Sequence, residues 1–260
     1  MNNLKVLWST FKLQIVQSLS RATFRFCIIV QPLIYTFILY MMYKDSGRPN
    51  YVNFVVLGSG LSSLWSSICF SSAGDLERER NMGTLENLFC SPTKFTTIML
   101  GKILANTFLG LSGIVLSLIF TKVFFNENLY ISHLGLFSIA SIMTVFSFVA
   151  IALVICPIFT LSKNARALMN CLEYPVFILC GFVFPIDMLP SFIRPFSYML
   201  APTWAVKIMK DSSMGAGQLK EFCEELVVLT VICMAYIVVS RLLFLKIDRQ
   251  TRIKATLGVS

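Results

Sequence analysis

Charge is the scarcest property of this sequence. Only 13% of its 260 residues are Asp, Glu, Lys or Arg, against about 25% in an ordinary soluble domain. Hydrophobic residues make up 56%, and the mean hydropathy is +0.75. The few charges are clustered, with long uncharged runs between them. That distribution excludes a soluble globular domain and marks a polytopic all-α membrane protein. Histidine is scarcer still. His133 is the single one and falls in a short loop, so a serine–histidine dyad inside a span has no base. The only Gly-Asp pair, Gly74-Asp75, has no second intramembrane aspartate to work with. These two absences remove the intramembrane proteases. The eight cysteines contain no CxxC and no Cys/His spacing that suits a metal. Cys27, Cys69, Cys156, Cys171, Cys180 and Cys233 fall in apolar runs, where a free thiol behaves as a small hydrophobe. The N-terminus, MNNLKVLWSTFKLQ, lacks the charged tip, apolar core and small-residue cleavage site of a signal peptide.

What the chain does have is a series of apolar runs. Residues 4–25 read as an amphipathic helix lying in the membrane interface. Leu4, Trp8, Phe11, Ile15, Leu19 and Ala22 recur at helical spacing, with Lys5, Ser9, Lys12, Gln17, Arg21 and Arg25 largely opposite. Six spans follow at 26–43, 51–73, 98–121, 134–162, 167–186 and 226–245, each near the roughly 20 residues that cross a bilayer. Pro32 predicts a kink in the first span and Cys156-Pro157 a bend in the fourth. In the second, Gly58, Ser62 and Ser66, with Ser59, Ser63 and Ser67 alongside, predict close helix packing. Lys102 and Lys122, near the ends of the third, can snorkel.

Six spans put both termini on one side, and the Lys and Arg of 4–25, 74–97, 163–166 and the C-terminal tail make that side cytoplasmic. The net charge of +9 is read the same way, not as a nucleic-acid surface. Residues 187–225, with Pro190, Pro195 and Pro202, are too apolar for a free loop and too broken for a span. They read as short re-entrant or surface-lying helices that cap the bundle outside. The whole chain, 1–260, is one membrane domain.

The organising stretch is Gly74–Pro92, GDLERERNMGTLENLFCSP, a charged island between two spans. Such charges cannot sit in hydrocarbon, so 74–97 is a cytoplasmic loop. Gly83 reads as a helix stop, Thr84 as the N-cap of a second short helix and Ser91-Pro92 as its end.

The run Glu77-Arg78-Glu79-Arg80-Asn81-Met82-Gly83-Thr84-Leu85-Glu86-Asn87-Leu88, followed by Ser91-Pro92, resembles the ERExGTLExL...SP element of type-2 ABC exporter permeases, the ABC-2 family. Gly181, Phe182, Phe184-Pro185, Leu189-Pro190, Pro202 and Trp204 are similar to that family's GxxFPxxxLP segment with its downstream Pro and aromatic. The form of the first element is closer to the drug- and antibiotic-export branch. The departure is Asn81-Met82, where many members carry a charged residue directly before the glycine.

The resemblance implies a transmembrane subunit that pairs with a second permease copy or paralogue and with two ATP-binding subunits carrying ATP and Mg. It implies a multi-pass protein of a prokaryotic cytoplasmic membrane. Glu77, Arg78, Glu79, Arg80, Gly83, Thr84, Leu85 and Glu86 would then be the element that couples to the ATPase. No cofactor is expected on this chain. It has no GxxxxGK[ST] loop, since Gly101-Lys102 lacks the upstream glycine and the following hydroxyl.

Glu173 is the one acidic residue that can fall inside a span. Three readings stand: a contact for a cationic substrate, a helix–helix hydrogen bond that changes on opening, or a headgroup position if the span starts at Tyr174-Pro175. Trp65, Phe70, Phe177, Phe182 and Phe184 either line a substrate path with it or serve as packing. Export of an amphipathic drug, antibiotic, peptide or lipid-like molecule is the leading function. Export of a lipid-linked oligosaccharide and a non-transporting sensor or immunity role are the alternatives.

Overall fold

The computed structural model describes residues 3–47, 51–84, 88, 91, 93–127, 129, 131–162, 164–215 and 219–254. Among them every regular element is helical. We number these helices α1 (Asn3–Ser20), α2 (Ala22–Tyr43), α3 (Tyr51–Asn81), α4 (Phe95–Phe125), α5 (Leu134–Leu161), α6 (Ala165–Leu179), α7 (Arg194–Tyr198), α8 (Ala201–Met214) and α9 (Leu219–Lys254). The helices α2, α3, α4, α5 and α9 are long and apolar enough to cross a membrane.

The stretch read as a span at 167–186 carries a shorter apolar helix than the other five. Its helix, α6, has 15 residues and so a length of about 22 Å, short of the roughly 30 Å hydrocarbon core. The chain then turns at Gly181, whose φ of +73° is closed to most side chains, and past Pro185 it makes a single 3₁₀ turn, Ile186–Met188. The single interfacial helix read at 4–25 is also interrupted. Arg21 is extended (φ −88°, ψ 125°), and the next span begins at Ala22.

Inside α2 the segment Phe26–Val30 is wound as a π-helix just before Pro32. The wider turn relieves the clash of the proline ring with the preceding turn and absorbs its missing N–H. In α5, Pro157 lies within a continuous helix.

The bundle is built around α3. Its apolar stretch is 100% buried, whereas that of α9 is 17% buried. The small-residue stripe explains the first value. A Cβ on Gly60 would lie 2.7 Å from the Ile114 Cα of α4, so the two backbones meet where only glycine fits. Leu57, Leu61, Leu64, Trp65 and Ile68 then form the core with Phe148, Phe159 and Phe182. The stripe Val227, Val231, Met234, Val238, Leu242 and Leu245 of α9 is exposed, as a lipid-facing edge would be.

Candidate functional site

The charged island does not start a new element. Residues 74–81 continue α3 to Asn81, because Glu and Arg are good helix formers and the lone Gly74 does not outweigh them. The helix stops at Gly83, φ +68°. There the Gly83 N–H donates to Arg80 O at 3.0 Å and the Thr84 N–H to Glu79 O at 2.9 Å. The Thr84 hydroxyl also donates backwards to Glu79 O, at 3.3 Å. The second short helix falls largely outside the described residues, as do Leu85 and Glu86.

The charged end of α3 is therefore a continuation of a span, and it is held from three sides. From α1, Gln14 Nε2 donates to Asp75 Oδ2 at 2.6 Å, and from the break between α1 and α2, Arg21 Nη1 lies 2.5 Å from Asp75 Oδ1. From α4, Lys102 pairs with Glu79. On the third side, Arg80 donates to Ser162 O at 2.6 Å and to Thr160 O at 2.7 Å. These carbonyls belong to the end of α5, where backbone acceptors lack helical partners and the helix dipole favours a cation.

Of the residues read as the coupling element, Glu79 and Arg80 thus turn inward and tie, Glu77 is partly buried, and Arg78 points outward. Asp75, Gln14, Arg21 and Lys102 were not legible as members. Lys102 does not snorkel; it is 8% exposed and occupied by Glu79. In α1, the face carrying Gln14 and Ser18 is the buried one, and Ser18 Oγ donates to Asn106 of α4 at 2.8 Å. Leu4, Trp8 and Leu19 remain exposed for the membrane interface. A cleft of about 800 Å³ opens between α1 and this segment, with Lys5, Ser9 and Thr10 facing Arg78, Glu79 and Thr84. A second, of about 610 Å³, lies on the other flank, against Phe24, Met169 and Asn170.

Farther along α3 lies a polar cluster inside the bundle. Glu173 of α6 is 5% exposed. Its Oε1 accepts from Ser66 Oγ at 2.7 Å, and Ser66 Oγ accepts from Gln31 Nε2 at 3.0 Å. Gln31 also donates to Tyr35 Oη at 2.7 Å, and Trp65 Nε1 donates to Glu173 O at 3.3 Å. The aromatic candidates form a chain. Tyr35 meets Phe177 edge-on at 5.2 Å, Phe177 meets Phe182 at 5.6 Å, and Phe182 stacks with Phe148 at 6.1 Å. Trp65 and Phe182 are fully buried, Phe184 is 36% exposed on the turn after α6, and the side chain of Phe70 lies outside the described ones.

At the other end of the bundle, α8 carries a third group. The buried Lys210 donates to Gly181 O at 2.7 Å and lies 3.4 Å over the Phe54 ring. It borders a cavity of about 330 Å³ with Tyr43, Tyr51, Lys207 and Asp211. Lys207 pairs with Glu225 at 2.8 Å. Burial, and then Glu225, push the Asp211 carboxyl up to about 6.

No curated protein matches the chain. A family model described as ABC-2 family transporter protein matches residues 40–242, well over half of the sequence. The match takes in the clamped end of α3, the turn after α6 and all but the last turns of α9. With several helices able to cross a bilayer and a family that supplies the membrane part of such transporters rather than the ATPase, the chain belongs to the ABC-2 family, as a multi-pass permease component whose partner is an ATP-binding subunit.

Proposed function

We propose that this permease is the transmembrane half of an ATP-driven exporter. It moves an amphipathic substrate across the cytoplasmic membrane of a prokaryote, with both termini in the cytoplasm. Two copies of the ATP-binding subunit bring ATP and Mg, and a second permease copy or paralogue completes the pathway. The observation that carries this reading is the three-sided clamp on α3, through Asp75, Glu79 and Arg80. A segment tied to α1, α4 and α5 at its base cannot be displaced alone. Closure of the ATPase pair against Arg78 and the 84–92 stretch would therefore swing the bundle's central helix, and with it the α3–α6 contact at Ser66 and Glu173. Alternating access follows from that swing. The cleft between α1 and the end of α3 is the docking groove for the ATPase.

The test is capture of the tagged permease from native membranes in mild detergent, with ATP hydrolysis measured on what co-purifies. Glu79→Lys and Lys102→Glu should each lower that hydrolysis by at least about tenfold, a loss in the range expected for breaking a buried ion pair. The double swap should recover most of it. A permease that purifies alone with its loop intact would favour the sensor or immunity role instead.

A further inference from the structure

The Glu173 cluster lacks the ion pair that three other carboxylates have. Asp75 has Arg21, Glu79 has Lys102 and Glu225 has Lys207. Among the described residues Glu173 pairs with no Lys or Arg, and the side-chain donor that reaches its carboxylate is the neutral Ser66 hydroxyl. One hydrogen bond farther on, Gln31 gives its amide protons to Ser66 and Tyr35, and its Oε1 is buried without a partner. Two acceptor groups are thus held together in the bundle with too few donors. A buried acceptor left unmatched is destabilising, the more so when it is charged. What this set lacks is a cation. Beside it lie the Tyr35 and Phe177 rings, in edge contact with each other at 5.2 Å, aromatic surface of the kind that attracts one.

A cleft opens one helical turn away, toward the charged end of α3. Met169 and Asn170 line the cleft of about 610 Å³, and they lie one helical turn before Glu173 on the same side of α6. That is a rise of about 6 Å. On α3, Glu77 lines the cleft three turns after Ser66, again in phase with it. Phe24 and Met169 give the cleft an apolar wall and Asn81 and Asn170 a polar one; of its two arginines, Arg21 is occupied by Asp75, and Arg78 lines the cleft one position from the carboxylate of Glu77.

We propose that the substrate is an amphipathic organic cation, with an amine, quaternary ammonium or comparable centre on a lipophilic body. Its charge is received at Glu173 after passage up this cleft. The proposal rests on the permease reading and names its substrate class.

The experiment uses the full chain in lipid nanodiscs and two probes of equal shape and opposite charge, tetraphenylphosphonium and tetraphenylborate, with binding corrected for empty nanodiscs. The wild type should prefer the cation. Glu173→Gln keeps the bond to Ser66 and removes the charge. It should weaken cation binding by at least about tenfold, with the anion unaffected and the melting temperature not lowered. Ser66→Ala removes the bond and keeps the charge, so it should retain cation affinity within about threefold. Four results overturn the proposal: no cation binding, equal binding of both ions, full binding by Glu173→Gln, or an equal loss in Ser66→Ala. ATPase capture by the same preparation is scored separately. If capture holds while the cation preference fails, the substrate class is wrong and the permease reading stands.

Discussion

Asp211 shows how a single side chain in this molecule answers to its surroundings. Its carboxyl is raised from 3.8 to about 6 by burial and by Glu225, against the opposing pull of Lys207 and Lys210. A raised carboxyl pKa means that the folded chain holds the proton more tightly than the unfolded one, so ionising Asp211 weakens the fold. The penalty is absent below about 3.8, grows as pH rises and is complete above about 6. Asp211→Asn should therefore melt at a higher temperature than the wild type near neutral pH. The gain should shrink when both are melted at about pH 5. A gain that does not change with pH would assign the effect to something other than ionisation. At this scale the sequence was least legible. Asp75 and Lys102 stood in plain view, but their meaning lies in partners 61 and 23 positions away, Gln14 and Glu79.

Whole helices were easier to read than their ends. Apolar runs announced five of the long helices, since a bilayer demands about 20 such residues whatever the tertiary packing. Their limits depended on signals that act only in context. Gly181 turns the chain after α6, whereas Gly74 fails to stop α3. That contrast also separates two glycines in α3. A Cβ on Gly60 would press on the α4 backbone at Ile114, and one on Gly74 would meet nothing within 4 Å. Gly60→Ala should thus cost roughly 1–3 kcal/mol through overpacking, read as a lower melting temperature in detergent. Gly74→Ala should raise it slightly, by up to about 1 kcal/mol of helix propensity. Equal effects from the two would mean that α3 and α4 do not meet as described. The 77–88 run was legible as a motif. Its construction as the end of a span was not, because continuity of a helix across a charged boundary is decided by what receives the charges.

For the molecule as a whole, orientation is the property that sequence and geometry address jointly. The clamped end of α3 carries Glu77, Arg78, Glu79 and Arg80, and the basic residues of α1 lie beside it. Lys207, Asp211 and Glu225 gather at the other end of the bundle. With the first end cytoplasmic, Cys223, which is exposed near the start of α9, faces outward. A membrane-impermeant maleimide applied to intact cells should label the wild type and leave Cys223→Ser unlabelled. Labelling that needs permeabilised cells would invert the topology.

The burial of α3 has a consequence for biogenesis. The ribosome delivers this helix second among the long apolar ones, before α4, α5, α6 and α8 exist to cover it. For that interval its serine face meets lipid. Two of its hydroxyls are already satisfied by the helix's own carbonyls, Ser59 on Val55 at 2.7 Å and Ser67 on Leu64 at 3.0 Å. A helix that back-bonds its own hydroxyls can wait in the bilayer without a partner. The nascent chain thus tolerates having its central strut before the walls that enclose it, and the nearly bare α9 arrives last as an outer stave.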